Sequence, residues 1–161
     1  MEQDLLLFRI ENYLCAIQIT DAPYCFRAVE IIPIPAPSEF FPGLIDFHGS
    51  LIPVFDIRKK FKLPAQQLRP SDSMLKLQGI ENPFIIVVDE VTGFFKVPEE
   101  SISPVPEQET SDLPVKGLFP HEGKTVYLLD ITNLLSNAEQ IDLNSVTVLL
   151  HPDSLPDSHA Y

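Results

Sequence analysis

The sequence predicts an all-β fold of two pseudo-equivalent five-stranded barrels packed on a shared hydrophobic core. Three observations carry that expectation. Sixteen of the 161 residues are proline, about twice average usage. The apolar residues come in short runs that alternate with polar ones. Glycine and aspartate positions also recur at a fixed offset, with Gly43 and Gly117, Gly49 and Gly123, and Asp56 and Asp130 each 74 residues apart. Proline fixes φ and removes a backbone donor, so it suits strand ends, turns and edges and is excluded from helix interiors. From Pro23 to Pro120 the prolines fall every few residues, which leaves almost no window for a long helix.

Taken in order, Leu6, Phe8 and Ile10 alternate with Leu7, Arg9 and Glu11, the period-two pattern of a strand. Glu11-Asn12 supplies a turn into Tyr13, Cys15, Ile17 and Ile19. Val29 to Ile34 forms a further strand, ended by Pro33, Pro35 and Pro37. Leu44 to Phe47 and Leu51 to Phe55 flank Gly49-Ser50, and Asp56 can cap a single helical turn that follows. Pro64 to Ser73 is polar and reads as the connection between two halves.

The second half repeats this order. Leu75-Lys76-Leu77 echoes Leu7 to Ile10, Phe84 to Val88 echoes Cys15 to Ile19, and Leu135 follows Asp130 as Phe61 follows Asp56. Such recurrence marks a duplicated unit. One unit is too small to bury much surface, so two small barrels sharing a core are expected. The domain runs over 1–150, with barrel halves at about 5–64 and, as the repeat, 72–135. Ser145 to Leu150 has room for a further strand, and 151–161 is expected to be a flexible tail.

Eleven Lys+Arg against 23 Asp+Glu leave a net charge of −12. That excludes a nucleic-acid binder, which needs a dense basic face, and docking on an anionic membrane surface. Apolar runs such as Phe84 to Val88 are far short of a bilayer span. Met1-Glu2-Gln3-Asp4 is acidic where a signal peptide is basic, so a cytoplasmic location is expected, with Cys15 and Cys25 as free thiols.

Chemistry-bearing constellations are sparse. Asp46 and His48 share a strand face at i and i+2, but two ligands do not make a metal site. Ser50 lacks an elbow context and an acid partner, and no glycine-rich loop offers a phosphate cradle. Neither enzyme activity, nor a metal, nor a cofactor is expected. Glu99-Glu100 with Glu107 and Glu109 reads as a solvated face or a steering surface for a basic partner. Phe40-Phe41 and Phe94-Phe95 either seal the core between barrels or form a docking patch.

The segment Phe41 to Phe61, running through Gly43-Leu44-Ile45-Asp46-Phe47-His48-Gly49 and Pro53-Val54-Phe55-Asp56-Ile57, resembles the central signature of CheW-like domains. Ala16 to Ile19, Ile86 to Val91, Lys116 to Leu118 and Val126 to Asp130 agree in order, so the resemblance covers about Leu5 to Leu135. It implies two five-stranded SH3-like barrels and a non-enzymatic adaptor in a bacterial chemosensory or pilus-motility pathway. The implied partners are the regulatory domain of a CheA-type histidine kinase and the cytoplasmic tip of a chemoreceptor. Carried over by position, a receptor-facing groove between the barrels includes Ala22, Tyr24, Gly43 and His48, with Asp46 beside them. The kinase-facing surface falls at an end of the second barrel. His48 stands where the family pattern has arginine, Asp46 where it has asparagine, and Ala22 to Cys25 where it has a Val-x-Glu motif. Weakened receptor binding is therefore expected, because imidazole does not replace a bidentate guanidinium. Two other readings are a ligand-binding or enzymatic protein using the inter-barrel cleft with Asp46 and His48, and a self-associating member that caps arrays.

Overall fold

The computed structural model describes residues 1–22, 24–105 and 114–150, the side chains of 35–37 excepted. Its strands are β1 (Glu2–Ile10), β2 (Tyr13–Gln18), β3 (Tyr24–Arg27), β4 (Ile32–Ser38), β5 (Phe41–Phe47), β6 (Ser50–Val54), β7 (Ser73–Gln78), β8 (Pro83–Val88), β9 (Glu90–Pro98), β10 (Ser103–Pro104), β11 (Val115–His121) and β12 (Lys124–Leu129). Two helices, α1 (Ile57–Lys60) and α2 (Asn137–Leu150), complete the described elements together with short 3-10 turns.

The strands form two six-stranded sheets, β10-β11-β12-β2-β1-β9 and β3-β7-β8-β6-β5-β4. Read from β10 and from β4, the two orders coincide strand for strand. β10, β11 and β12 answer to β4, β5 and β6; β2 and β1 answer to β8 and β7; β9 answers to β3. The one parallel pairing of each sheet falls at the same place, β12 with β2 and β6 with β8. The duplication is thus visible in space.

The barrels differ from the expected contiguous halves, however. β1–β2 sits in the sheet completed by β9 to β12, and β7–β8 sits in the sheet completed by β3 to β6. The opening hairpins have been exchanged. A parallel neighbour cannot be reached by a tight turn and needs a long connection. The polar stretch after α1 supplies one, carrying the chain from β6 to β7. Each sheet also has six strands rather than five. The strands missing from the sequence reading are β3, four residues beginning immediately after Pro23, the nine-residue β9 that answers to it in the first sheet, and the two-residue β10.

Exchange leaves the hairpins buried on both faces. Leu6, Phe8 and Ile10 of β1 join Cys15, Ile17, Leu75, Leu77, Phe84, Ile86 and Val88 in the core between the sheets. Leu5 and Leu7 turn the other way, into the first sheet with Ala16, Val97, Phe119, Val126 and Leu128. Met74 and Ile85 likewise enter the second sheet with Ile45, Ile52 and Val54. Cys15 and Cys25 are free thiols. Burial pushes the Cys15 thiol up to about 12, so it acts as a small hydrophobe.

Local chemistry sets the turns and edges. His48 and Gly49 have φ of 51° and 89°, and Glu122 and Gly123 have 50° and 78°. Tight hairpin turns with both central residues at positive φ match strand twist, and glycine takes that conformation freely. Proline-rich β4 and the short β10 lie at sheet edges, where proline blocks further pairing. Asp56 caps α1, its side chain accepting from the Lys59 N–H.

The region 145–150, read as room for a strand, is helical instead. α2 opens with a capping box. Ser136 Oγ accepts from the Glu139 N–H at 3.2 Å, and Glu139 Oε1 accepts from the Ser136 N–H at 3.0 Å. Leu143 then enters the joint core, and Val146 packs on Ile34 and Leu44 of the second sheet. A six-residue apolar run does not by itself distinguish strand from helix. The cap and the packing decide it.

An ion-pair network spans the sheets beside the joint core. Arg58 donates to Glu11 at 2.6 Å and to Asp89 at 2.7 Å, while Asp89 also accepts from Arg9 at 3.3 Å and from the Glu11 N–H at 3.0 Å. Arg69 clasps the buried Asp72 through two nitrogens at 2.9 and 3.1 Å. Burial opposes the Asp89 charge, but hydrogen bonds from Arg58 and the Glu11 N–H, with the charges of Arg58 and Arg9, outweigh it. Its carboxyl lies below the ordinary range.

Two outcomes are expected. A Cβ at Gly43 would stand 2.6 Å from the Ile32 carbonyl oxygen and from Ile31 Cγ2, whereas at Gly117 the 2.6 Å neighbour is the Ile102 side chain. Backbone cannot yield as a side chain can, so urea melts should show Gly43→Ala losing about 2–3 kcal/mol and Gly117→Ala about 1. Arg58→Met, which strands Asp89 and Glu11, should cost about 3 kcal/mol or more. Because the folded Asp89 pKa is depressed, its contribution is present above the unfolded value of about 3.9 and lost as pH falls through the folded one. Asp89→Asn should therefore flatten the loss of stability below about pH 4.

Candidate functional site

The register of β3 on β7 sets Tyr24 opposite Lys76 and Phe26 opposite Met74. Met74 belongs to the interior of the second sheet, so Tyr24 and Lys76 lie on that same face, one step further along. Phe47 follows Ile45 at i+2 and closes the group. Its ring meets Tyr24 edge-on with centroids 5.2 Å apart and Phe26 at 5.2 Å, and His48 lies edge-on at 4.6 Å. Lys76 Nζ stands 5.1 Å from the Tyr24 ring centroid and 5.0 Å from that of Phe47. Such cation–π contacts hold an ammonium in place at about 0.5–1 kcal/mol each when exposed.

Among the described residues Lys76 has no carboxylate within ion-pair distance, although acids outnumber bases two to one. Tyr24 is 50% exposed and His48 is exposed. The result is a water-facing cluster of three aromatic rings and a cation at one end of the second sheet.

The residues expected to share one groove are placed unequally. Tyr24 and His48 converge through Phe47. Ala22 is buried in the joint core, and Gly43 is buried in β5 against Ile31 and Ile32. Neither presents a side chain to a partner; each shapes the strand or connection beside it. Asp46 is exposed, and its Oδ1 accepts from the Gly49 N–H at 2.8 Å, tying the turn. The Asp46–His48 pair therefore does not frame a cleft. The period-two strand face that carries Tyr24 and Phe47 leads into one sheet, not into the space between the two.

Phe47 and Lys76 were not singled out from the sequence. Phe47 stood between two polar candidates, and Lys76 was legible as the polar member between Leu75 and Leu77. Of the four phenylalanines left open, Phe41 is buried, Phe40 stacks on Phe55 with centroids 5.9 Å apart, and Phe95 packs on His121 at 4.5 Å. Phe94 is exposed beside the joint core, opposite Leu6 in the β1–β9 register. Glu99 and Glu100 are solvated in a 3-10 turn, while Glu107 and Glu109 lie outside the described residues.

A cavity of about 140 Å³ is lined by Ile31, Leu68, Arg58, Asp72 and Asp89, whose charged groups already bind one another or Arg69. No three His, Cys, Asp or Glu side chains among the described residues converge as a metal ion requires. Among the described residues no helix is long and apolar enough to cross a membrane.

Comparison with known proteins gives a consistent result. The family model of the CheW-like domain matches residues 4–139. The chemotaxis protein CheW of Thermotoga maritima is 24% identical over 135 residues, covering 83% of this chain and 88% of the relative. Protein FrzA of Myxococcus xanthus is 22% identical over 151 residues, covering 92% and 86%. The crystal structure of the scaffolding protein TtCheW from Thermoanaerobacter tengcongensis superposes with a TM-score of 0.75 at 25% identity, over 84% of this chain and 94% of that one.

The turn geometry yields a further expected outcome. Asparagine before glycine is the favoured tight-turn pair at positive φ, so His48→Asn and Glu122→Asn should each stabilise the chain by about 0.5 kcal/mol. His48→Ala should fall within about ±0.5 kcal/mol, and Asp46→Ala, which loses the bond to Gly49, should cost about 0.5–1. Chemical denaturation of the four variants checks the order.

Proposed function

The chain belongs to the CheW-like domain family, and on that premise we propose that it is a non-catalytic scaffold of a bacterial chemosensory pathway, working in the cytoplasm. It couples the regulatory domain of a CheA-type histidine kinase to the tip of a chemoreceptor or receptor-like protein. The observation that carries this reading is the run of the family match through both sheets. A scaffold needs two firmly held surfaces rather than a reactive centre, and a core shared by two sheets supplies that rigidity.

We assign Tyr24 and His48, joined by Phe47 and Lys76, to the receptor-facing side. Exposed aromatic residues with a cation among them are the chemistry from which interface hot spots are made. Asp46 holds the turn that presents His48, while Ala22 and Gly43, both buried, set the backbone on which the patch is built. The kinase-facing surface, which the resemblance puts at an end of the second barrel, does not depend on His48. Imidazole in place of the family's arginine removes a charge-assisted bond, worth about 1.5–3 kcal/mol or one to two decades of affinity. Lys76 restores a positive charge near that place, without the guanidinium's fork.

Calorimetric titration with the kinase regulatory domain and with a receptor-tip fragment, both from the source organism, tests the assignment. The kinase domain should bind, and the tip should bind more weakly. His48→Arg should raise tip affinity by up to about tenfold, and Tyr24→Ala or Lys76→Glu should abolish it, each with kinase binding unchanged. Failure of both partners to bind the native chain would overturn the scaffold reading. Tip binding indifferent to all three substitutions would overturn the placement of the patch alone.

A further inference from the structure

We infer that the outer face of α2 is a self-docking surface on which a second copy of this chain pairs antiparallel, helix against helix. The inner face of α2 buries Glu139, Leu143 and Val146. On its outer side lie Ala138, Ile141, Ser145 and Val148, exposed and spaced three, four and three residues apart, with Leu149 beside them. Ile141 is 65% exposed, Leu149 70% and Val148 37%. That spacing makes a narrow seam of the coiled-coil kind. A helix apolar on both sides needs a partner on both, and the two sheets occupy only one. Most of this stretch lies beyond the residues that the family model matches.

The identity of the second partner follows from register and charge. With the two-fold axis at Leu143, an antiparallel copy brings its Ser145 opposite Ile141 and its Ala138 opposite Val148. Each large side chain then meets a small one, the alternation that lets helices interdigitate. Asn144, Ser145, Val148 and Leu149 line a shallow depression, which receives Ile141 of the second copy.

A chain of net charge −12 repels its own copies over most of its surface. α2 holds no lysine or arginine, and its carboxylates are engaged elsewhere, Glu139 with Lys60 at 3.0 Å and Asp142 with Ser38 at 2.8 Å. The seam is therefore a stripe without free charge. It offers nothing for a basic or acidic partner to pair with, and antiparallel packing sets the helix dipoles head to tail. One helix face is smaller than the roughly 800 Å² per partner of a standard interface, so the dimer is weak and matters where copies are concentrated.

Sedimentation velocity of the full chain, from low micromolar to about 1 mM, tests this directly. The sedimentation coefficient should climb from the monomer toward the dimer value. Ile141→Lys should stay monomeric throughout with an unchanged thermal melt, since the site is exposed. Geometry is read by cross-linking in a Cys25→Ser background. Ile141→Cys protein mixed with Ser145→Cys protein should oxidise to a heterodimer at least tenfold faster than either does alone. A native chain monomeric at every concentration, a dimer that survives Ile141→Lys, or Ile141→Cys protein linking fastest to itself would each overturn the proposal.

Discussion

Because β1–β2 sits in the sheet completed by the second half of the chain, and β7–β8 in the sheet completed by the first, neither half can bury its own strands without the other. Each hairpin serves two cores at once. Leu6, Phe8 and Ile10 face across to Phe84, Ile86 and Val88, while Leu5 and Leu7, and Met74 and Ile85, fill the interiors behind them. At about 1.5–3 kcal/mol for each large side chain fully buried, this doubled use lets a chain with modest strands support a stable fold. It also makes folding cooperative, since losing one hairpin opens one sheet interior and the joint core together.

The electrostatics follow from the same exchange. The connection out of α1 returns from β6 to β7 within the second sheet, close to where the chain leaves β8 for the first sheet at Asp89, and Arg58, Arg69, Asp72 and Asp89 cluster there. Arg58 reaches Glu11 at the tip of the first hairpin and Asp89 at the end of the second. The acidic chain thus spends three of its four arginines, Arg9, Arg58 and Arg69, where the exchanged hairpins meet. Lys60, holding Glu139 of α2, performs the same office for the last helix. What remains on the surface is mostly negative, so Lys76 on its two rings and the uncharged stripe of α2 stand out as the places suited to contact.

Much of this was legible in the residues. Period-two alternation marked β1 and β2, and short apolar runs and the repeat marked β5, β6, β7 and β8. The prolines foretold edge strands, the Gly49 and Gly123 turns were recognisable, and Asp56 declared its cap. β3 escaped because four residues after a proline carry too little pattern, and β9 because Gly93 and the adjacent Phe94-Phe95 interrupt its alternation. The helix at 137–150 escaped although Ser136 and Glu139 spelled its capping box, because the run 145–150 reads equally well as strand when taken alone. At the candidate site, Tyr24 and His48 were named in advance, but Ala22 and Gly43 proved buried, and Phe47 and Lys76 joined only through cross-strand register.

The sequence by itself therefore determined what depends on neighbours along the chain: the main core strands, turn conformation, the proline-guarded edges and the duplication. Tertiary structure alone decided which hairpin completes which sheet. The physical reason is that duplication makes the two hairpins alike in pattern, so β1–β2 and β7–β8 would each suit either sheet as far as periodicity can tell. The choice falls to contacts distant in sequence, the parallel pairs β12–β2 and β6–β8 and the Arg58 bridge between Glu11 and Asp89. No local window of residues contains them.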